Sequence, residues 1–277
     1  LNIGAVIMAP GLDIYNAKVR GELGLGRWPN VVSSLQFERI LSASGPYQGT
    51  VTRPGDNRHP VKVAWIQCVG SRDTHSANPW CSSVCCMYAT KQAVIAREHD
   101  KRIQPTIFFM DMRAYGKDFD KYVERAKNEY GVRYMRTMVS AVREEPGTGD
   151  LILRYALEDG SLMNETFDLV VLSEGLEPNK DALKLADICG IEMTEYRFPK
   201  TDSLAPVEST RPGVFVTGIY QGPKDIPETV VQGSAVAGQT MGLLVEDRGT
   251  EIEAVELPPA TDLSGQIAAQ ILGRPVA

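Results

Sequence analysis

The 277-residue sequence lacks any apolar run long enough to cross a bilayer, which takes about 20 residues. It also lacks a basic surplus. The net charge is −6, and no stretch concentrates lysine and arginine, which argues against nucleic acid as a partner. No Cys-x-x-Cys pair occurs, and the five cysteines follow no disulfide-framework spacing. A reducing compartment, taken as the cytoplasm, is therefore expected. There is no G-x-G-x-x-G phosphate loop either. Gly24 and Gly26 start one, but Pro29 stands where the third glycine belongs. An initiator methionine is missing as well. The chain opens at Leu1, directly in an apolar strand, so it is expected to be a piece of a longer protein, and the lack of a targeting signal carries no weight.

What is present is a 43% hydrophobic composition, enough for a large core in one or two domains. The chemistry is concentrated between Val61 and His99, which hold four of the five cysteines: Cys68, Cys81, Cys85 and Cys86. Val61 to Ile66 is an apolar, β-rich run and reads as a buried strand, with Cys68 just beyond its carboxyl end. The polar, turn-rich segment from Gly70 to Trp80 reads as a loop. From Cys81 to His99 the pattern is helical, which would put Cys81 and Cys85 on one helix face.

Strand, loop and helix make up a nucleotide-binding βα unit, but thiols occupy the turn that would carry the glycines. Thiolates near a helix start are favoured by the positive end of its dipole. Four thiolates match the need of a four-iron, four-sulfur cluster or of a structural zinc. A cubane cluster accepts irregular spacing, whereas zinc sites more often use two Cys-x-x-Cys knuckles. A redox disulfide, including one between neighbours Cys85 and Cys86, and plain packing of small apolar cysteines remain open alternatives at this point.

Elsewhere the chain alternates. Ile3 to Met8 reads as a strand closed by Ala9-Pro10-Gly11, and residues 12–30 as a loop. A helix is predicted over 33–42, with Ser34 as its cap and Glu38 as an early acid, followed by a Gly/Pro-rich linker over 45–60. Strand 105–112, helix 117–130 and strand 132–139 follow, then a hairpin over 142–157 around PGTGD and a buried strand over 167–172. This alternation implies a parallel sheet with right-handed crossovers. A helix over 182–190 holds Cys189, read as a packing residue. Gly213 to Gly218 reads as a strand, and Pro227 opens a helix rich in small residues. A short helix is predicted over 260–272.

Several phrases of the sequence resemble a known family. IQCVGSRD followed by CSSVCCMYATKQA is similar to the A-type flavoprotein subunits of heterodisulfide reductases and to related subunits of quinone-interacting oxidoreductase complexes. RWPNVVSSLQFERILSASGP, TIFFMDMRAYGKDF and GPKDIPETVVQGSAVA extend the resemblance to about Leu244. It implies a 4Fe-4S cluster on Cys68, Cys81, Cys85 and Cys86, close to FAD. The strand ending at Gly11 resembles the second fingerprint of FAD/NAD(P)-linked reductases, with Pro10 in place of the usual threonine. The helix after Gly222, Lys224, Asp225, Ile226, Glu228 and Thr229 would point at the pyrimidine edge of the flavin, with Lys224 and Glu228 within reach of the ring. The implied fold is α/β, a two-domain FAD/NAD(P)-binding, thioredoxin-reductase-like fold with a Rossmann-like insertion and no N-terminal FAD fingerprint. Residues 1–57 would form the first segment of the FAD domain and 58–175 the insertion. Residues 176–246 would form its second segment, and 247–277 a tail. The expected activity is electron transfer through FAD and the cluster, within a complex of partner subunits and without membrane insertion. The alternatives are a flavin-linked dithiol/disulfide reductase and a zinc-stapled scaffold subunit.

Overall fold

The computed structural model describes residues 3–74 and 78–245. The tail, with the helix expected over 260–272, lies outside the described residues. The strands are β1 (Val6–Met8), β2 (Leu12–Ile14), β3 (Val31–Ser33), β4 (Lys62–Val69), β5 (Gln104–Phe109), β6 (Arg133–Arg136), β7 (Val139–Glu144), β8 (Leu151–Ala156), β9 (Leu162–Phe167), β10 (Leu169–Glu174), β11 (Leu176–Pro178) and β12 (Val214–Val216). The helices are α1 (Ser34–Leu41), α2 (Cys85–His99), α3 (Phe119–Asn128), α4 (Ala182–Cys189) and α5 (Ile226–Leu243).

The centre is a five-stranded parallel sheet in the order β3-β10-β4-β5-β6. Its middle strands read as continuous apolar runs because both faces are covered. Alternation along β4 divides them. Val63 and Trp65 face the core under α1, α2 and α3, where Trp65 meets Phe37 edge-on at 5.4 Å. Ala64 and Ile66 face the opposite core, shared with Leu151, Leu153 and Phe167 of an antiparallel meander. Because β3 pairs with β10, this sheet draws on chain from both sides of position 58.

The sequence pattern suggested a single hairpin over 142–157, but the chain adds a third strand, β9, paired with β8. Its Met163, Asn164 and Thr166 are exposed, so burial left little apolar alternation to read. Arg53, 1% exposed, staples the meander to the loop before β4: it donates to Asp150 Oδ1 at 2.5 Å and to Thr148 O at 3.0 Å, with Asp56 at 3.2 Å and Asp168 at 3.7 Å.

A smaller core joins β1 and β12, which pair in parallel, to α4 through Met8, Ala182, Ala186, Val214 and Val216. Cys189 packs against it, as expected. β2 and β11 form an antiparallel pair. The cap of α1 is Ser33 and not Ser34: Ser33 accepts from Gln36 N at 3.1 Å while Gln36 Oε1 accepts from Ser33 N at 2.8 Å. Ser34 instead donates its N–H and its hydroxyl to the buried Glu174 carboxylate, at 2.9 and 2.8 Å. No helix among the described residues is long and apolar enough to cross a membrane.

Candidate cluster and flavin sites

Cys68 lies inside β4 rather than beyond it. The register with β10 shifts between Leu172, opposite Ile66, and Glu174, opposite Val69. That bulge falls on Gln67 and Cys68, and Cys68 takes a left-handed φ of 59°. Bulges re-aim side chains at sheet rims, and a left-handed residue other than glycine is held there only by its surroundings. Two neighbours share the conformation: Arg72 at 56° and Ser83 at 65°.

The helix that carries the other thiols begins at Cys85, four residues later than the pattern implied. The left-handed Ser83 breaks any helical path from Cys81, and the buried Ser82 hydroxyl is spent accepting from Leu176 N at 2.8 Å. Cys81 is therefore a loop residue and shares no helix face with Cys85, while Cys85 and Cys86 occupy the first turn of α2. Their helix start has no side-chain cap and no acidic residue in its first turn, so its positive end is left to the sulfurs.

The described residues of the segment between β4 and α2 are held from several sides. Trp80 Nε1 donates to Leu176 O at 3.1 Å, and Asn78 Nδ2 donates to Gly70 O at 3.0 Å and to Glu177 Oε1 at 2.8 Å. Gly70 has a φ of 73°, and a Cβ there would stand 2.1 Å from the Tyr15 ring. A Cβ on Gly175 would stand 2.6 Å from Ser71 Cβ, so β10 and the loop meet backbone to backbone.

The four thiols lie within electrostatic reach of one another. Electrostatic coupling links every pair of them: Cys68 with Cys81, Cys85 and Cys86; Cys85 with Cys81 and Cys86; and Cys86 with Cys81. Burial and this mutual repulsion raise Cys68 to about 11, against relief from the Arg72 guanidinium. Cys85 and Cys86 are also raised, burial first in each case. Backbone N–H groups reach two sulfurs, from Ser83 to Cys81 and from Arg113 to Cys86, each at 3.4 Å. Four neighbouring thiols, backbone N–H donors aimed at two of the sulfurs and a helix N-terminus form a donor set that suits a polynuclear cation. Among the described residues, no three His, Cys, Asp or Glu side chains sit close enough to grip one metal ion.

The expected flavin residues are arranged differently. Asp225 and Glu228 form a capping box on α5, Asp225 Oδ1 accepting from Glu228 N at 2.8 Å and Glu228 Oε2 from Asp225 N at 3.1 Å. Thr229 donates its hydroxyl to Asp225 O at 2.8 Å. Lys224, 8% exposed, turns back on its own loop and donates to Gly218 O, Gln221 Oε1 and Gly222 O at 2.7–2.9 Å; burial lowers it to about 8. Ile226 is 79% exposed. A cleft of about 490 Å3 runs along Gly222, Lys224, Pro227 and Glu228. A contact joins this loop to the segment between Cys81 and Cys85: Ser83 Oγ donates to Pro223 O at 3.4 Å. Gly11 sits at the turn between β1 and β2 with a φ of 79° and open space around its Cα. It has the backbone freedom expected of it, and among the described residues no contact joins it to either group.

Gln67, Ser71, Ser82, Arg72 and Ser173 are the residues of this neighbourhood that pattern reading passed over. Only Gln67 left a trace, as the lone polar residue at the end of an apolar run.

No family model matches the chain. It is 43% identical over 245 residues to an A-type iron–sulfur subunit of CoB–CoM heterodisulfide reductase from Methanopyrus kandleri, covering 86% of this chain and 37% of that one. It is 36% identical over 273 residues to the A-type subunit of the H(2):CoB–CoM heterodisulfide, ferredoxin reductase of Methanothermobacter thermautotrophicus, covering 96% and 40%. The chain thus spans well under half the length of these curated relatives. Among solved structures, the fold is similar to a thioredoxin reductase of Lactococcus lactis, at a TM-score of 0.54 and 18% identity over 87% of this chain and 66% of that one. It is also similar to the flavoprotein disulfide reductase RclA of Escherichia coli, at a TM-score of 0.51 and 11% identity over 85% and 44%.

Proposed function

This chain is like the A-type subunits of heterodisulfide reductases and has the fold of the thioredoxin-reductase-like flavoproteins, and from that premise we propose that it holds a four-iron, four-sulfur cluster beside a flavin and passes electrons between them. The observation that carries this reading is the convergence of Cys68, Cys81, Cys85 and Cys86, every pair of which is electrostatically coupled.

When bound, such a cluster exchanges single electrons, and a flavin exchanges one or two. The chain's own contribution is placement and field. Cys68 comes from the bulged end of β4, Cys81 from the loop, and Cys85 and Cys86 from the first turn of α2. The Cys68, Cys85 and Cys86 thiols are hard to ionise, because burial and mutual repulsion oppose it. Cys68, Cys81, Cys85 and Cys86 would hold the group as thiolates. The Ser83 and Arg113 N–H groups and the Arg72 guanidinium would offset charge on their sulfurs.

The flavin end of the reading rests on Gly222, Lys224, Asp225, Ile226, Glu228, Thr229 and Gly11. The capping box keeps Asp225 and Glu228 occupied with α5, so their role is to set the helix start. Lys224 is the polar group of that loop left to face a ring, and it would have to exchange one of its own acceptors to do so. The Ser83–Pro223 contact provides a short path between the two groups. A division at about 175, with β3 and α1 joining the inserted unit ahead of 58, the partner subunits and a cytoplasmic location complete the proposal.

The second reading is a single structural zinc, whose sites more often use two Cys-x-x-Cys knuckles, and none occurs here. The deciding experiment is anaerobic analysis of iron, zinc and acid-labile sulfide, together with the visible spectrum. About four irons and four sulfides per chain, with a broad charge-transfer band, is the expected result. One zinc without sulfide would replace the reading with a stapled scaffold. Metal-free protein, prepared without oxygen and with a reducible Cys–Cys pair, would replace it with dithiol chemistry.

A further inference from the structure

Buried polar atoms without partners are not spread evenly over this protein. Both amide atoms of Gln67, the Ser71 hydroxyl and the Ser173 hydroxyl are enclosed and bond to nothing. Gln67 is 7% exposed, Ser71 1% and Ser173 0%. An enclosed polar group left unpaired costs about 1–3 kcal/mol, so a cluster of them calls for a missing partner.

Their positions indicate where that partner sits. Gln67 immediately precedes Cys68 on the bulge of β4. Ser173 lies between Leu172 and Glu174 on the strand opposite, at the same register shift. Ser71 donates its backbone N–H to Cys68 O at 3.3 Å. Gln67 and Ser71 line, together with Cys68, a cavity of about 660 Å3 at the carboxyl end of the sheet. Ser173 stands on β10 where the ladder to β4 is interrupted between Leu172 and Glu174. The carbonyl of the next residue, Glu174, accepts from Cys85 Sγ at 3.7 Å. The bulge therefore places the unpartnered atoms next to Cys68 and one residue from the Cys85 contact.

Resting on the cluster reading above, we propose that Gln67 and Ser173, with Ser71 beside them, are hydrogen-bond donors to the sulfur atoms of the four-iron cluster and set its reduction potential. An amide N–H or a hydroxyl donated to sulfur stabilises the more negative, reduced cluster over the oxidised one, and hydrogen bonding to sulfur is among the determinants of such potentials. These are positioning and tuning residues, since the cysteines alone make the iron bonds. No bond forms or breaks in this role.

The test is an EPR-monitored redox titration of the anaerobically reconstituted 277-residue chain, alongside iron and sulfide analysis. Gln67→Leu keeps the volume and removes the donor. Its cluster should stay at parental content while its reduction becomes about tenfold less favourable, a shift of about 59 mV to lower potential. Ser173→Ala should shift in the same direction and serves as the reading if Gln67→Leu does not fold. Tyr220→Phe removes another unpartnered buried hydroxyl, on the chain segment between β12 and α5, and should leave the potential alone. Gln67→Leu and Ser173→Ala with full clusters and the parental potential would overturn the proposal while leaving the cluster reading intact. A parent chain that takes up no iron and sulfide would overturn both.

Discussion

The geometry of the cysteines depends on one side chain that touches none of them. Gln92, 2% exposed, stands midway along α2. Its Oε1 accepts from the Trp65 indole at 3.2 Å, and its Nε2 donates to Ser34 O at 3.0 Å and to Glu38 Oε2 at 3.1 Å. It thereby ties α2, the carrier of Cys85 and Cys86, to β4, the carrier of Cys68, and to α1. Gln92→Leu keeps the bulk and cuts all three bonds. Each bond contributes about 0.5–1.5 kcal/mol net, and the stranded Trp65 N–H adds about 1–3 kcal/mol. The Ser34 carbonyl keeps its bond within α1, and leucine regains some of the loss by apolar contact, so the net cost should be about 2–4 kcal/mol. For a chain of this size, that lowers the melting temperature by roughly 4–16 °C.

Urea denaturation of the metal-free protein measures it directly, and a cycle with Trp65→Phe isolates the stranded indole. Trp65→Phe removes the donor that Gln92→Leu strands, so the double variant should cost less than the sum of the singles by about 1 kcal/mol or more. The rate of iron loss from reconstituted protein should rise in Gln92→Leu, because the distance from Cys68 to α2 is less firmly set. Stability of Gln92→Leu within about 0.5 kcal/mol of the parent would refute the tie, and strictly additive singles would refute the account of its largest contribution.

Other consequences follow from the same structure. Cys85→Ser should lose the charge-transfer band and most of the iron, whereas Cys189→Ser, on α4 and against the smaller core, should keep both; equal loss in the two would refute the ligand assignment. Arg53→Met removes the buried guanidinium from Asp150, Thr148 O, Asp56 and Asp168, while Arg58 stays beside Asp56 and Asp150, and should cost about 1.5–3 kcal/mol in urea; an unchanged midpoint would refute the staple. Lys224 titrates near 8 when folded, against an ordinary 10.5. The unfolded chain therefore binds more protons between those values, so this residue's contribution makes stability rise with pH across that window and flatten outside it. Comparing parent with Lys224→Met across the same window isolates the effect, and parallel curves would refute it.

How far the sequence could be read depended on the range of the forces involved. Strands β4, β5 and β10 were legible because burial on both faces leaves continuous apolar runs. The thiol set was legible because its chemistry lies in residue type. The start of α2 was not, since Ser83 is forced left-handed and Ser82 is recruited by Leu176 N, 94 residues away in sequence. The true cap of α1 was missed for a similar reason: Ser34 looks like a cap, but Glu174 claims its hydroxyl from across the sheet. Strand β9 escaped notice because its outer residues face water. The polar residues around Cys68 escaped because lacking a partner is a property of three-dimensional surroundings.

The βα turn at the centre of this fold cannot serve a nucleotide and thiols equally well. A phosphate at a helix start needs bare N–H groups and glycines that let its oxygens approach the backbone. Here the first two residues of α2 carry sulfur, and the left-handed positions at the turn are Cys68, Arg72 and Ser83, with only Gly70 free of a side chain. The positive end of α2 is the same resource in both uses, but an anion bound there would crowd Cys85 and Cys86 and compete for that field. The two left-handed non-glycine residues flanking the loop, Cys68 and Ser83, are strained positions that glycine would relieve. A side chain at Cys68 is required if it is to supply sulfur, which accounts for strain being kept there. Ser83 keeps its side chain where its hydroxyl meets Pro223 O, on the loop assigned to the flavin. On the proposed reading, the strain at these two places is kept for the side chains, Cys68 for its sulfur and Ser83 for its hydroxyl. Ser83→Gly relieves about 1–2 kcal/mol of left-handed strain against about 0.4–1 kcal/mol for the freer unfolded chain, so it should stabilise the metal-free fold by up to about 1 kcal/mol while weakening the link to the 222–225 loop. A Ser83→Gly chain less stable than the parent would show that the hydroxyl contact outweighs the strain.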